Sequence, residues 1–294
     1  MASVDFYLMT CERIEFLDDA IQSINQAISL SSSHQVNFVV SDNSATEKVN
    51  AFISERYPDI KIIRRPSLNV IDHHNVIINE ASAEFLVMFH DDDRLTPEFL
   101  LEGLKFMSSN PDFSAFASNA FVITNGKIAS GRILPKATSS IVFENMHQLL
   151  ERYMYKTKDG VAPFSGYIYR SASLKGIHLD FSFSGVHSDV LLLLKLLCRG
   201  KIFWSIKPLI FYRFHSTNAG VKFLERGRFL NAVRKTYPGK VPSCWILNYK
   251  RAYIRRYLVK YVTREFSSLK WPSEFFRTKK RLGIMVSFVL TGKK

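Results

Sequence analysis

The chain reads as an α/β protein built on a mostly parallel sheet with helices on both faces. Three observations lead there. Short apolar runs alternate with helical patterns over residues 4–90, polar residues collect at the exits of those runs, and the excess of positive charge is confined to the C-terminal end.

The elements follow in order. "VDFYLMT" (4–10) is strand-like, and Ile14, Leu17, Ile21, Ile24 and Ile28 then recur at three- and four-residue spacing, one face of a helix. Next come "VNFVV" (36–40), a polar "SDNSAT", a helix ending at Tyr57, "IKIIRR" (60–65), a second helix around 72–82, and "EFLVMFH" (84–90). This β-α-β-α-β-α-β series predicts a nucleotide-binding type of α/β fold, in which ligands sit beyond the carboxyl ends of the strands.

Bulk properties narrow the function. With 294 residues, 47% of them apolar, the chain can bury one large core, with or without an appendage. Cys11, Cys198 and Cys244 lie far apart with no CxxC spacing, which gives neither a disulfide framework nor a cysteine metal site and points to a reducing compartment. The opening "MASVDFYLMT" enters a strand without the basic and apolar regions of a secretory signal, and no apolar run approaches the ~20 residues that span a bilayer. The expectation is a cytoplasmic protein whose membrane contact is peripheral, at the inner face of the cytoplasmic membrane. Of the net charge of +14, residues 221–294 hold 19 Lys and Arg against Glu225, Glu265 and Glu274, a net of +16. The first 220 residues are therefore slightly acidic, and two parts are expected, 1–220 and 221–294, with different electrostatic roles.

Each strand exit carries polar side chains: Thr10, Glu12 and Arg13 after the first, Asp42 and Asn43 after the second, Asn69 after the third, and Asp91, Asp92 and Asp93 after the fourth. They are expected to converge on one cleft. In "FHDDDRLTPEFL" (89–100), Thr96 reads as a helix N-cap with Pro97 at the first helical position and Glu98 in the first turn, so the triple-Asp loop is short and anchored. Three adjacent carboxylates repel one another; a hard divalent cation, Mg²⁺ or Mn²⁺, relieves the repulsion and bridges to phosphate oxygens. His73, His74 and His90 have no metal-ligand spacing and are not expected to bind the ion.

From Asp5 to about Gly220 the chain resembles a family 2 glycosyltransferase of GT-A fold. "MTCER" keeps the Thr10 and Arg13 of the family's Pro-Thr-Tyr-Asn-Arg type motif, with Glu12 at the Asn place, and "VSDNSA" matches its Val-Asp-Asp-Gly-Ser element. The resemblance implies a nucleotide contact at Asp42 and donor contacts at Asn69 and Asn75 in "LNVIDHHN", where Val70 stands in place of the family's glycine. The family's metal motif reads Asp-x-Asp-Asp-x-Leu-x-Pro. Aligning Leu95 and Pro97 puts His90 at its first Asp, Asp92 at the metal ligand and Asp93 next, with Asp91 nearer the ribose; a one-residue slip makes Asp91 and Asp93 the pair.

The stretch 185–218 resembles the family's acidic helix start followed by a strand and a Tyr-Arg-x-His element. It implies Asp189 as general base, with Ser188 replacing the usual Glu, and His215 as a further metal ligand. At the start of an apolar helix the dipole favours a charged carboxylate there. "GVAPFSGYIYR" (160–170) matches the loop framing the acceptor pocket, where Ser165 and Gly166 would let a sugar approach or simply make a turn.

The resemblance thus implies inverting sugar transfer from a nucleotide-diphosphate donor, a UDP-sugar being favoured, to a glycan or lipid-linked acceptor of surface-polysaccharide assembly, O-antigen or capsule. In the basic part, Trp245, Tyr249, Tyr253, Tyr257 and Tyr261 recur every fourth residue among Lys and Arg. Such a stripe suits an anionic membrane surface, or packs on the catalytic domain or on a second copy in a homo-oligomer. Two rivals remain at this level: an inactive relative serving as scaffold, suggested by Glu12, Val70 and Ser188, and a nucleic-acid binder, disfavoured because the strand-end acids repel a polyanion.

Overall fold

A computed structural model describes residues 1–124, 126–180, 187–214, 223–252 and 254. The expected series is present: β1 (Ser3–Thr10), α1 (Leu17–Leu30), β2 (Gln35–Asp42), α2 (Lys48–Arg56), β3 (Lys61–Arg64), α3 (Val70–Glu80) and β4 (Phe85–His90). Then follow β5 (Arg94–Leu95), α4 (Glu98–Ser109), β6 (Phe113–Thr124), β7 (Lys127–Arg132), β8 (Ile141–Phe143) and α5 (Met146–Leu150). The described chain ends with β9 (Tyr167–Arg170), α6 (Ser171–Leu174), α7 (Ser188–Leu196), β10 (Lys201–Phe214), α8 (Phe223–Thr236) and a helical stretch at 243–252.

The sheet runs β3-β2-β1-β4-β9-β6-β10-β5, with β7 on β6 and β8 on β10. β1 pairs in parallel with both β2 and β4, while β9 is antiparallel to β4 and β6. The order therefore reverses at β1, and Met9 of β1 lies opposite His90 of β4 at the switch point. A crevice opens there, because the chain leaves β1 through α1 on one face and returns to β4 through α3 on the other.

Both faces of the sheet are buried, which explains why its central strands read as unbroken apolar runs. In β4, Phe85, Val87 and Phe89 join the core under α1 and α4, and Leu86 and Met88 join the core on the other face. Each such side chain contributes roughly 1.5–3 kcal/mol. On α1, Leu17, Ala20, Ile21, Ile24 and Ala27 are fully buried. Ile14 is not part of that face: the helix begins at Leu17, and Ile14 is 41% exposed.

Two other expectations change. Pro97 has helical torsions (φ −55°, ψ −32°), but the Thr96 hydroxyl makes no capping hydrogen bond; only its carbonyl accepts, from the Phe99 N–H. The loop is anchored instead by β5, whose Arg94 and Leu95 pair with Phe211 and Ile210 of β10.

At the C-terminal end, Trp245 and Tyr249 are buried in the same core as Leu191 of α7 and Phe229 of α8, so these two members of the aromatic stripe face protein. Tyr249 stacks on Tyr153, Phe229 packs against both at a tilt, and Phe229 also meets His187, two residues before Asp189. Tyr253, Tyr257 and Tyr261 lie outside the described residues, as does His215. No helix among the described residues is long and apolar enough to cross a membrane.

Candidate active site

The carboxylate loop is built by a turn. The Asp93 N–H reaches back to the His90 carbonyl (3.4 Å), which folds residues 90–93 and brings the two ends of the segment together. Among the described residues, the ligand atoms of His90, Asp92 and Asp93 all lie within 4.8 Å of one another. Asp91 leaves the turn on another side. Its Oδ2 accepts from the Thr10 hydroxyl (2.8 Å) and its Oδ1 from Arg13 Nη2 (2.5 Å), while Arg13 Nη1 donates to Asp92 Oδ2 (2.9 Å). One guanidinium thus spans two neighbouring carboxylates and offsets their repulsion, as its planar fork allows.

Asp93 is held from two distant parts of the chain. The Ser165 hydroxyl donates to its Oδ2 (2.5 Å) and the Arg213 N–H to its Oδ1 (2.8 Å). Arg213 also donates from Nε to the Asp92 carbonyl (2.8 Å) and lays its guanidinium over the Phe16 ring. Burial, with Asp92 alongside, pushes the Asp93 carboxyl up to about 8; burial also pushes Asp91 up to about 6 against the opposing pull of Arg13 and Thr10. Burial lowers His90, so its ring is neutral with a nitrogen lone pair to give. An imidazole and two carboxylates form a donor set that fits a divalent cation, which takes each of them in its deprotonated form and so competes with the protons that burial favours.

Asp189 lies in the first turn of α7, partly exposed, its Oδ1 accepting from the Val190 N–H (2.8 Å). Burial raises the Tyr212 phenol most, and the charges of Asp93, Asp92 and Asp189 raise it further.

The other strand exits are arranged differently. Glu12 adopts φ 60°, a left-handed conformation that Asn, the family's residue there, takes more readily than Glu. It is held by its N–H to the Ser44 hydroxyl (2.7 Å) and by its carboxylate, which accepts from the Thr46 N–H and hydroxyl. Asp42 is fully buried, caps the Ser44 N–H and lies 3.2 Å from Arg64 Nε. Asn43 donates to the Leu68 carbonyl. Asn69 is the N-cap of α3, accepting from the Ile71 and Asp72 N–H groups, and Val70 opens the helix; the left-handed residue of that loop is Ser67 (φ 74°). Asn75 is buried, donates to the Leu179 carbonyl and accepts from the Leu179 N–H (both 2.8 Å).

The Glycosyl transferase family 2 model matches residues 6–176, more than half of the chain. The chain belongs to that family. No curated protein matches it. Among solved structures, this family 2 glycosyltransferase is similar to S. aureus TarS 1–349 in complex with UDP-GlcNAc, with a TM-score of 0.60 at 16% identity over 98% of this chain and 82% of that one. It is also similar to the mannosyltransferase PcManGT from Pyrobaculum calidifontis in complex with GDP-Man and Mn²⁺, with a TM-score of 0.55 at 11% identity over 98% and 83%. These likenesses establish the GT-A fold.

For this glycosyltransferase, the structure therefore groups Thr10, Arg13, Asp91, Asp92, Asp93 and His90 at the switch point. It commits the side chains of Asp42, Asn69 and Asn75 to hydrogen bonds or ion pairs within the fold. Sequence reasoning set His90 aside and did not single out Arg213. It read Ser165 as an acceptor-loop residue, whereas its hydroxyl holds Asp93, and Gly166 packs against Ile210, where a Cβ would come within 2.3 Å of Cδ1. Arg213 is the Arg of the Tyr-Arg-x-His element, but nothing local reveals that its backbone N–H serves a residue 120 positions earlier.

Proposed function

We propose that the protein transfers a sugar from a nucleotide-diphosphate donor, a UDP-sugar first among candidates, to a hydroxyl of a glycan or lipid-linked acceptor of surface-polysaccharide assembly, with inversion at the anomeric carbon. The observation that carries this reading is the gathering of the His90, Asp92 and Asp93 ligand atoms within 4.8 Å of one another, on the loop that follows β4 at the β1–β4 switch point. The structures bound to UDP-GlcNAc and to GDP-Man with Mn²⁺ share the fold and support the choice of donor class.

In this reading His90, Asp92 and Asp93 would hold Mn²⁺ or Mg²⁺, which would supply positive charge to offset that of the departing nucleoside diphosphate. Arg13 and Thr10 fix Asp91 and keep the loop from opening. Ser165 and the Arg213 backbone hold Asp93 in its rotamer. Asp189 takes the proton of the acceptor hydroxyl while that oxygen attacks the anomeric carbon from the face opposite the leaving diphosphate. The new C–O bond forms as the bond to the diphosphate breaks, and the electron pair leaves with the diphosphate. At the N-terminus of α7 the helix dipole favours the carboxylate form that this role needs. The basic residues of 221–294 serve attachment to an anionic membrane surface, so that the active site faces lipid-linked acceptors from the cytoplasmic side.

Asp189→Asn tests the assignment. It is expected to lower transfer by about 10²–10⁴-fold while leaving nucleotide affinity in place, and NMR of the product is expected to show the opposite anomer to the donor. Undiminished turnover in the variant, or retained configuration, contradicts the mechanism.

A further inference from the structure

The motif register puts a histidine where the family's metal motif begins with aspartate, and the turn at 90–93 folds that residue back over the carboxylates. The set is thus not made of acids alone. His90 sits at the end of β4, its ring 6.3 Å from His74 in an edge-to-face arrangement and 6.3 Å from Phe164, so aromatic rings pack against it.

We infer that His90 selects the ion: an imidazole nitrogen beside the Asp92 and Asp93 carboxylates makes the site take Mn²⁺ and other first-row transition ions ahead of Mg²⁺. The physical reason lies in the donor atoms. Mg²⁺ demands oxygen ligands in near-ideal octahedral geometry and gives up its waters reluctantly, whereas transition ions bind imidazole well. Replacing an all-oxygen set by one nitrogen and two carboxylates therefore lowers Mg²⁺ affinity more than Mn²⁺ affinity. The supports already described keep the carboxylates in place whichever ion binds: Ser165 and the Arg213 N–H on Asp93, Arg13 on Asp92. Selectivity then rests on the one residue that differs in donor atom.

The inference rests on the metal-dependent reading above, and its test separates the two. Mn²⁺ and Mg²⁺ affinities are measured by calorimetry on the unmodified protein and on His90→Asp, together with the pulsed EPR spectrum of the Mn²⁺ complex. Nitrogen modulation from a coordinated imidazole is expected in the unmodified protein and not in H90D. The Mn²⁺-over-Mg²⁺ preference is expected to fall in H90D by at least about tenfold, the lower end of what loss of a ligand's supporting partner alone costs. Mn²⁺ binding without nitrogen modulation, modulation that persists in H90D, or an unchanged preference overturns the role of His90 and leaves the metal-dependent reading standing. Absence of any Mn²⁺ binding overturns both. His90→Gln, which also removes the ring nitrogen, gives the same spectroscopic comparison if H90D does not fold.

Discussion

On the β4 side of the cleft, Asp92 and Asp93 stand beside His90 with hydrogen bonds from Arg13, Ser165 and Arg213 that fix their positions. On the β2 and α3 side, Asp42, Asn69 and Asn75 are taken up by the fold itself, bound to Arg64 and Ser44, to the first turn of α3, and to Leu179. Both sets sit at strand exits and both match family positions. The two sets differ in how far the fold already engages their polar atoms: the amides of Asn69 and Asn75 have donor and acceptor both used, while Asp42 keeps one buried oxygen without a hydrogen bond, 3.2 Å from Arg64 Nε. A carboxylate oxygen that accepts one hydrogen bond can still ligate an ion, whereas an amide with donor and acceptor both used has little left to offer a ligand.

The sharpest way to break this comparison is through a support on the first side. Ser165→Ala removes the hydroxyl that orients Asp93 and is expected to weaken Mn²⁺ affinity about 10–100-fold without unfolding the protein. Calorimetric titration with Mn²⁺ checks it, and an unchanged affinity would remove Ser165 from the site. Asn75→Ala probes the second side. It strands the buried N–H and carbonyl of Leu179, so a stability loss of about 2 kcal/mol is expected in urea titration. Nucleotide affinity should hold; a variant of normal stability with lost nucleotide binding would return Asn75 to the donor site.

A smaller effect follows from protonation. Asp91 and Asp93 have folded values raised to about 6 and about 8, above the ordinary carboxylate value, so the metal-free native state holds their protons more tightly than the unfolded chain does. Their contribution to stability is full below about pH 4 and is lost as the pH rises through 6 and 8. A metal ion competes with those protons, so the stabilisation by Mn²⁺ should grow over the same range. Thermal melts with and without Mn²⁺ between about pH 5 and pH 8.5 check both signs. A metal-free melting temperature that climbs toward pH 8, with an increment from Mn²⁺ that shrinks, would reverse the account.

Much of this was legible in the sequence because it is local. Period-two and three-four patterns yielded β1 to β4 and the helices between them, and the strand exits placed Thr10, Arg13 and the Asp91–Asp93 loop at one crevice. The starts of helices were less legible: Ile14 fits the spacing of α1 yet stands before its first turn, and Thr96 has the chemistry of a cap whose hydroxyl is not used. Long-range hydrogen bonds were not legible at all. Ser165 reaches Asp93 across 72 residues and Asn75 reaches Leu179 across 104, and no periodicity records such pairings. His90, aligned with the first Asp of the metal motif, was nevertheless set aside as a ligand for a related reason. Histidine spacing was weighed against histidine, whereas its partners are carboxylates two and three residues on, turned toward it by a single backbone hydrogen bond.

The most direct test of the central claim is calorimetric titration of UDP and of GDP into the protein, with Mn²⁺ and with the metal chelated. The account predicts that one of the two nucleotides binds measurably tighter with Mn²⁺ and that Asp92→Ala, still folded by its melting curve, loses the difference. Equal affinity in both conditions, for both nucleotides, would contradict it.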